Sequence, residues 1–99
     1  MPDTVRSVLG RALRAFDGLQ QLGEDVDDEW TYVTDLGDAW RARLETVAQL
    51  RGDELLPDAR AGAVDRAIDE AGRITDPHRA IDWMSTFPQI VLVALGERP

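Results

Sequence analysis

The stretch Phe87-Pro88-Gln89-Ile90-Val91-Leu92-Val93-Ala94-Leu95-Gly96 decides the fold of this 99-residue chain. The six consecutive apolar residues from Ile90 to Leu95 leave no polar face in a helix or in a strand, so this segment is buried on all sides. It is far shorter than the roughly 20 apolar residues that a membrane-spanning helix requires. The run therefore packs into the core of this domain or against a second chain.

The conformation of this run has two interpretations. Pro88 is expected to break or kink the helix that precedes the run, and Gly96 is a suitable stop. Three residues of the run are β-branched, which also permits a strand. We favour a short terminal helix, because no other segment alternates like a strand and a lone strand has no partner.

The rest of the chain places apolar residues three and four positions apart, the spacing of amphipathic helices. The predicted helices are Thr4–Leu22, Asp28–Arg51, Asp58–Ile74 and a fourth that begins at Pro77. Thr4 and Asp76 are the expected N-caps of the first and fourth helices. The predicted fold is all-α, a four-helix bundle with a short apolar C-terminal helix, in a single domain that spans residues 1–99.

The second and third helices carry more detailed expectations. The apolar stripe of the second is Trp30, Val33, Leu36, Trp40, Leu44, Val47 and Leu50. Gly37 interrupts this helix, either to permit a close crossing by another helix or to mark a bend. The third helix has mostly small apolar residues, which suits close packing against a bulkier helix. In the second helix, Arg41 is spaced to pair with Asp38 and Glu45 of the same helix.

The net charge is −8, and all eleven basic residues are arginine. Such a chain is repelled by free nucleic acid and by anionic membranes, since affinity for both comes from neutralising negative charge. A basic protein partner is compatible with this charge. The chain has no cysteine, and its first residues lack the apolar core of a signal peptide, so we expect a cytoplasmic protein.

The acidic stretch from Glu24 to Glu29 has carboxylates at alternate positions, as in a calcium-binding loop. Trp30, however, stands where such a loop requires glycine, and Leu36 stands where it requires the bidentate glutamate. We interpret the stretch as a helix start and a solvated loop. No metal and no cofactor is expected.

The only histidine lies in the segment Arg73-Ile74-Thr75-Asp76-Pro77-His78, one helical turn before Asp82. This spacing resembles the Arg-x4-His signature of HEPN ribonucleases, which are small helical bundles. The resemblance covers only this short stretch, and Ile74 and Pro77 depart from the usual pattern. It implies that Arg73 binds phosphate and that His78 assists proton transfer at the ribose 2′-hydroxyl. The alternative interpretation of His78 is a partly exposed residue in the first turn of a helix.

The aromatic residues divide into core and surface candidates. Trp30 and Trp40 lie on the apolar stripe of the second helix and are assigned to the core. Trp83 and Tyr32 fall outside the stripes of their helices and are candidates for an exposed contact. The predicted interface consists of Trp83, Phe87, Ile90, Val91, Val93 and Leu95.

These observations favour a non-enzymatic role in protein–protein interaction or assembly, with self-association as a homodimer. Four helices already supply enough apolar surface for a single core, so the terminal run has a face left over for a second chain. One alternative is a HEPN-like ribonuclease that uses Arg73 and His78. The other is an acidic regulator, an antitoxin or a nucleic-acid mimic, that neutralises a basic partner.

Overall fold

The computed structural model describes residues 3–23 and 30–97, with side chains from 3–22 and 35–97. Four helices account for most of this chain. They are α1 (Val5–Gly23), α2 (Trp30–Arg51), α3 (Asp58–Gly72) and α4 (Pro77–Ala94). The predicted all-α four-helix bundle is confirmed. The acidic stretch and the side chains of Trp30, Tyr32 and Val33 lie outside the described residues, so the predictions made for them stay predictions.

Both helix starts that were predicted from capping residues are confirmed. The hydroxyl oxygen of Thr4 accepts the amide hydrogen of Ser7 at 3.2 Å. At the start of α4, a carboxylate oxygen of Asp76 accepts the amide hydrogen of His78 at 3.0 Å, and Pro77 occupies the first helical position. Each side chain satisfies an amide that has no partner within its helix.

The C-terminal ends differ in how well the sequence predicted them. Gly96 has a φ of +79°, and its amide donates to the carbonyl of Val93 at 3.0 Å, which ends α4 as expected. The third helix ends at Gly72 rather than at Ile74. The amide of Ile74 donates to the carbonyl of Ala71, three residues earlier, so the chain tightens and leaves the α-helical path.

Pro88 does not break α4, so the predicted break is wrong, whereas the predicted helical conformation of the terminal run is confirmed. The helix is continuous from Pro77 to Ala94, so the terminal run forms its last turns and is neither a separate helix nor a strand. Proline cannot donate to the carbonyl of Met84, four residues earlier, and its ring crowds that carbonyl. The penalty is offset by burial, since Phe87 and Pro88 are both buried on the side of α4 that packs into the core.

The helices are arranged around a central pair. Helices α1 and α4 contact each other along much of their length, and each also contacts α2 and α3. Within the described part of the chain α2 and α3 do not touch, so they lie on opposite sides of the pair. The amide of Val5 donates to the carbonyl of Glu54 at 2.9 Å, and Arg51 pairs with Glu97 at 2.7 Å. The start of α1 and the ends of α2 and α4 therefore meet at one end of the bundle.

The core is apolar wherever side chains are described, and all four helices contribute to it. Its largest fully buried members are Phe16, Phe87, Leu9, Leu19, Leu44, Met84, Leu92 and Leu95. Helix α3 contributes mainly small residues, as predicted. Leu50 was assigned to the inner stripe of α2, but its side chain is 79% exposed. The next residue, Arg51, turns toward the bundle instead, because its guanidinium bonds to Glu97.

Gly37 permits a close crossing of α2 over α1. The glycine is buried, and a Cβ atom added to it would lie 3.3 Å from Cε1 of Phe16 and 2.7 Å from Nε2 of Gln20. Both neighbours belong to α1. Of the two expectations for this glycine, the structure therefore supports the close crossing.

Candidate functional site

The terminal run divides sharply between core and surface. Val91, Leu92 and Leu95 are fully buried within the chain, on the side of α4 that packs into the core. Val93 points the other way and is 61% exposed, while Ile90 is half-buried at the edge of the core. The terminal run is therefore buried on one side of α4 and exposed to solvent on the other.

The exposed side of the run borders a shallow depression of about 400 Å³ between α3 and α4. Its lining is almost entirely apolar and uncharged. We call this surface the α4 face, and it consists of Ala63, Thr86, Gln89, Ile90, Val93 and Ala94. No residue from Trp83 to Gly96 is ionisable, although 30% of the whole chain is charged.

Five of the six residues of the predicted interface are distributed over two environments. Phe87, Val91 and Leu95 are fully buried within one chain and contribute to its own core. Ile90 and Val93 lie on the α4 face. The prediction of an interface stays untested, and the surface available to it is narrower than the sequence suggested.

Trp83 occupies an intermediate position. Its ring packs against Phe87, with the ring centroids 6.4 Å apart and the planes inclined by 38°. It is only partly buried, and its indole N–H is enclosed with no hydrogen-bond partner among the described residues. A tryptophan at the border of the core, with an unsatisfied donor, is suited to report changes in packing in the first half of α4.

Ala63 belongs to the α4 face but was missed by sequence reasoning. It lies outside the apolar stripe by which α3 was recognised. The available signal was the pair Gly62-Ala63, two adjacent small residues on the third helix, which leave room beside α4. Sequence alone does not indicate which neighbouring helix such small residues border.

The connection between α3 and α4 carries the residues that resemble a ribonuclease motif. Arg73 lines an open cavity of about 570 Å³ at this corner, together with Arg79 and the carboxylate-bearing residues Glu70, Asp76 and Asp82. His78 is exposed and is not among the lining residues. The corner therefore brings Arg73 close to several carboxylates and leaves the histidine outside the cavity.

The polar groups around this corner are engaged mainly with the backbone. The hydroxyls of Ser85 and Thr86 donate to the carbonyl oxygen of Asp82, at 2.8 Å and 3.5 Å. Asp76 caps α4 through the amide of His78. The Asp76 contact holds the start of α4, and the two hydroxyls bond within the helix rather than to His78.

Arg11 and Arg51 each pair with two carboxylates among the described residues, and Arg6 and Arg41 form further ion pairs with Asp53 and Asp17. Arg11 pairs with Asp3 at 3.1 Å and with Asp65 of α3 at 3.0 Å. Arg51 pairs with Glu54 at 3.1 Å and with Glu97 at 2.7 Å. The hydrogen bonds that Arg11 and Arg51 donate to these carboxylates, foremost to Asp3 for Arg11 and to Glu54 for Arg51, raise the pKa of both guanidinium groups above the ordinary value. Both arginines therefore act as permanently charged links.

The described part of the chain offers neither a metal-binding cluster nor a membrane-spanning helix. The described residues contain no group of three or more histidine, aspartate or glutamate side chains placed to hold a metal ion. None of the helices in that part combines the length and the apolar character that crossing a membrane requires.

Comparison with known proteins gives no family for this chain. No protein-family model, no curated protein and no solved structure matches it.

Proposed function

We propose that this protein acts in protein–protein assembly without catalysing a reaction, and that it forms a homodimer through the α4 face. The observation that carries this proposal is the exposure of Val93 on a surface without charge. Interfaces differ from the remaining surface in that their centre is depleted of charged residues. The α4 face has this composition, in a chain whose net charge is −8.

The charge of the chain favours a second copy at this particular surface. Two chains of like net charge repel each other, so self-association requires a region where few carboxylates are brought together. The α4 face is such a region, because Trp83 to Gly96 contains no ionisable side chain. In a two-fold dimer the same patch meets itself, which an uncharged patch tolerates.

The shape of the α4 face also suits a helix from a second chain. Val93 protrudes beside a depression that the small side chains of Ala63 and Ala94 keep open. Small residues at these two positions let a facing helix approach closely, and the half-buried side chain of Ile90 adds apolar contact area. The patch is small compared with the roughly 800 Å² that each partner contributes to a standard interface, so we expect a dimer that dissociates on dilution.

The experiment compares two matched aspartate variants, Val93→Asp and Leu50→Asp. Both residues are the penultimate residues of their helices and both are mostly exposed, so the unfavourable effect of the helix dipole is the same. Only Val93 lies on the α4 face. The mass of each protein is measured by sedimentation or light scattering over a wide concentration range, and folding is monitored by circular dichroism.

We expect the wild type and Leu50→Asp to dimerise with the same affinity. Val93→Asp should be a folded monomer, its dimer weakened by roughly 100-fold or more, because the change places an unpaired charge in the contact. Added salt should strengthen the wild-type dimer by screening the repulsion between acidic chains. A wild type that is monomeric at high concentration, or a Val93→Asp variant that dimerises normally, would refute the proposal. The cytoplasmic location stays a prediction from the sequence.

A further inference from the structure

A second apolar surface lies on the other side of α3, where this helix packs beside α1. It is an open groove of about 540 Å³, within the range of small-molecule sites, and we call it the α1–α3 groove. Leu22, Ile68 and Ile74 supply much of its apolar wall, and Arg11 and Arg14 also line it. The α4 face contributes no residue to this groove.

Both ionisable residues that line the α1–α3 groove are arginines, although Asp3 and Asp65 pair with one of them, Arg11. The lining of the groove includes no carboxylate, although the protein carries 19 acidic residues and has a net charge of −8. The cavity beside Arg73, by contrast, is lined by three carboxylate-bearing residues. An anion therefore meets a more favourable lining in the groove than beside Arg73.

The two arginines have different roles. Arg11 is held by the carboxylates of Asp3 and Asp65, at 3.1 Å and 3.0 Å, so its charge is already compensated. Arg14 is exposed and forms no ion pair with any side chain that the structure describes. Its guanidinium is available to a ligand, and it can bind a carboxylate through two parallel hydrogen bonds.

The groove is kept open by glycine. Gly18 and Gly72 both line it, and a Cβ atom built on either would meet no atom within 4 Å. Gly18 lies inside α1, where glycine is destabilising relative to alanine, and no packing contact requires its small size. Its effect in the structure is to leave space beside Leu22 for an apolar body.

We propose that the α1–α3 groove binds a free medium-chain alkyl carboxylate. The carboxylate is placed at Arg14, and the alkyl chain lies over Gly18 toward Ile74. A cation next to an apolar channel is complementary to one anionic group attached to a hydrocarbon chain. This binding activity is independent of the proposed dimer, because the two surfaces have no residue in common.

The test is a titration of the intact protein with decanoate below its micelle concentration, followed by calorimetry and by amide resonances in NMR spectra. We expect saturable binding with shifts at the amides of Gly18 and Gly72, while the amide of Gly37, in the contact between α1 and α2, stays unchanged. Shortening the ligand to octanoate should weaken binding by roughly two- to fourfold for each methylene removed. Decyltrimethylammonium, with the opposite charge, should bind less tightly than decanoate.

Two variants with one control locate the site. Gly18→Leu should abolish decanoate binding by filling the groove. Gly10→Leu is the matched control, because Gly10 lies in the same helix, has nothing within 4 Å of its Cβ position and does not line the groove. Arg14→Gln, an exposed change, should leave the fold intact and weaken decanoate binding roughly three- to fivefold, while decyltrimethylammonium should bind no less tightly than it does to the wild type.

Three results would overturn this proposal. The first is the absence of saturable binding of monomeric decanoate. The second is equal loss of binding in Gly18→Leu and Gly10→Leu, which would place the site elsewhere. The third is binding to vesicles of anionic phospholipid without binding of monomeric decanoate, which would assign the groove to a membrane surface.

Discussion

Val91 and Val93 are the same residue type two positions apart in α4. Shortening each to alanine measures how much each face of the helix contributes to the free energy of unfolding. Val91 is fully buried in the chain's own core, whereas Val93 is 61% exposed. Deleting two buried methyl groups costs about 1.6 kcal/mol in transfer free energy, and the cavity that remains raises this to roughly 2–3 kcal/mol. For Val93 only about two-fifths of that transfer term applies, roughly 0.6 kcal/mol.

Both substitutions gain the same small benefit in helix propensity, roughly 0.5 kcal/mol, because alanine is the better helix former. The net loss in unfolding free energy is then about 1.5–2.5 kcal/mol for Val91→Ala and close to zero for Val93→Ala. With a urea m-value of about 1 kcal/mol/M for a small domain, the midpoint should fall by roughly 1.5–2.5 M in the first variant and hardly move in the second.

Urea unfolding followed by far-ultraviolet circular dichroism measures both values. The proteins are kept dilute, so that dissociation of the proposed dimer does not contribute to the midpoint. Equal losses in the two variants would show that Val93 is packed as tightly as Val91. An unchanged midpoint for Val91→Ala would show that this residue is not in the core. Either result would refute the division of α4 into an inner and an outer face.

Further substitutions test other parts of the structure. Gly18→Ala should raise the unfolding free energy by up to about 1 kcal/mol, because the added Cβ enters open space. Gly37→Val should lower the unfolding free energy by roughly 1–3 kcal/mol, because the added side chain overlaps with α1. Thermal unfolding of the two variants measures whether stability rises or falls. Arg11→Ala should cost about 1 kcal/mol at low salt and less at high salt, since it removes two part-exposed ion pairs. The pKa of the Arg11 guanidinium is raised in the folded protein, so its ion pairs contribute their full stability at every pH below the pKa of the unfolded state and lose it only in strong alkali. The loss of stability in Arg11→Ala should therefore be constant around neutral pH. The purified wild type should not cleave RNA, and Arg73→Ala and His78→Ala should fold normally; cleavage that both variants abolish would establish the ribonuclease alternative instead.

The helices of this protein were predictable because their signals are local. Three-four spacing of apolar residues identified all four, and Asp76 and Gly96 marked ends that the structure confirms through specific hydrogen bonds. Charge pairing was less predictable. Arg41 was expected to pair along its own helix, but it forms an ion pair with Asp17 of α1. Spacing along one helix reports which side chains are neighbours there, and it says nothing about the carboxylate that a second helix brings nearby.

The candidate sites depend on information that the sequence carries only weakly. Ala63 borders the α4 face and Gly18 lines the α1–α3 groove. Both matter through the space that they leave, and that space is defined by the helix lying opposite. A small residue in a sequence is therefore equally compatible with the close approach of a second helix and with an open groove. Only the packing of α3 against its neighbours shows which of these two arrangements is present at each position.

The sequence of the terminal run predicts that it is buried, but only the packing of the helices determines which of its side chains face the core. Six apolar residues in succession demand burial, and they leave open which side is covered by the chain itself. Pro88 suggested a break because proline removes a helical hydrogen bond, a local penalty of about 3 kcal/mol. Burial of Phe87, Val91, Leu92 and Leu95 against the rest of the core exceeds that penalty, at roughly 1.5–3 kcal/mol for each large side chain. The helix therefore runs through the proline. The same continuity turns Val93 outward, so the exposed face of α4 is a consequence of the packing that stabilises its inner face.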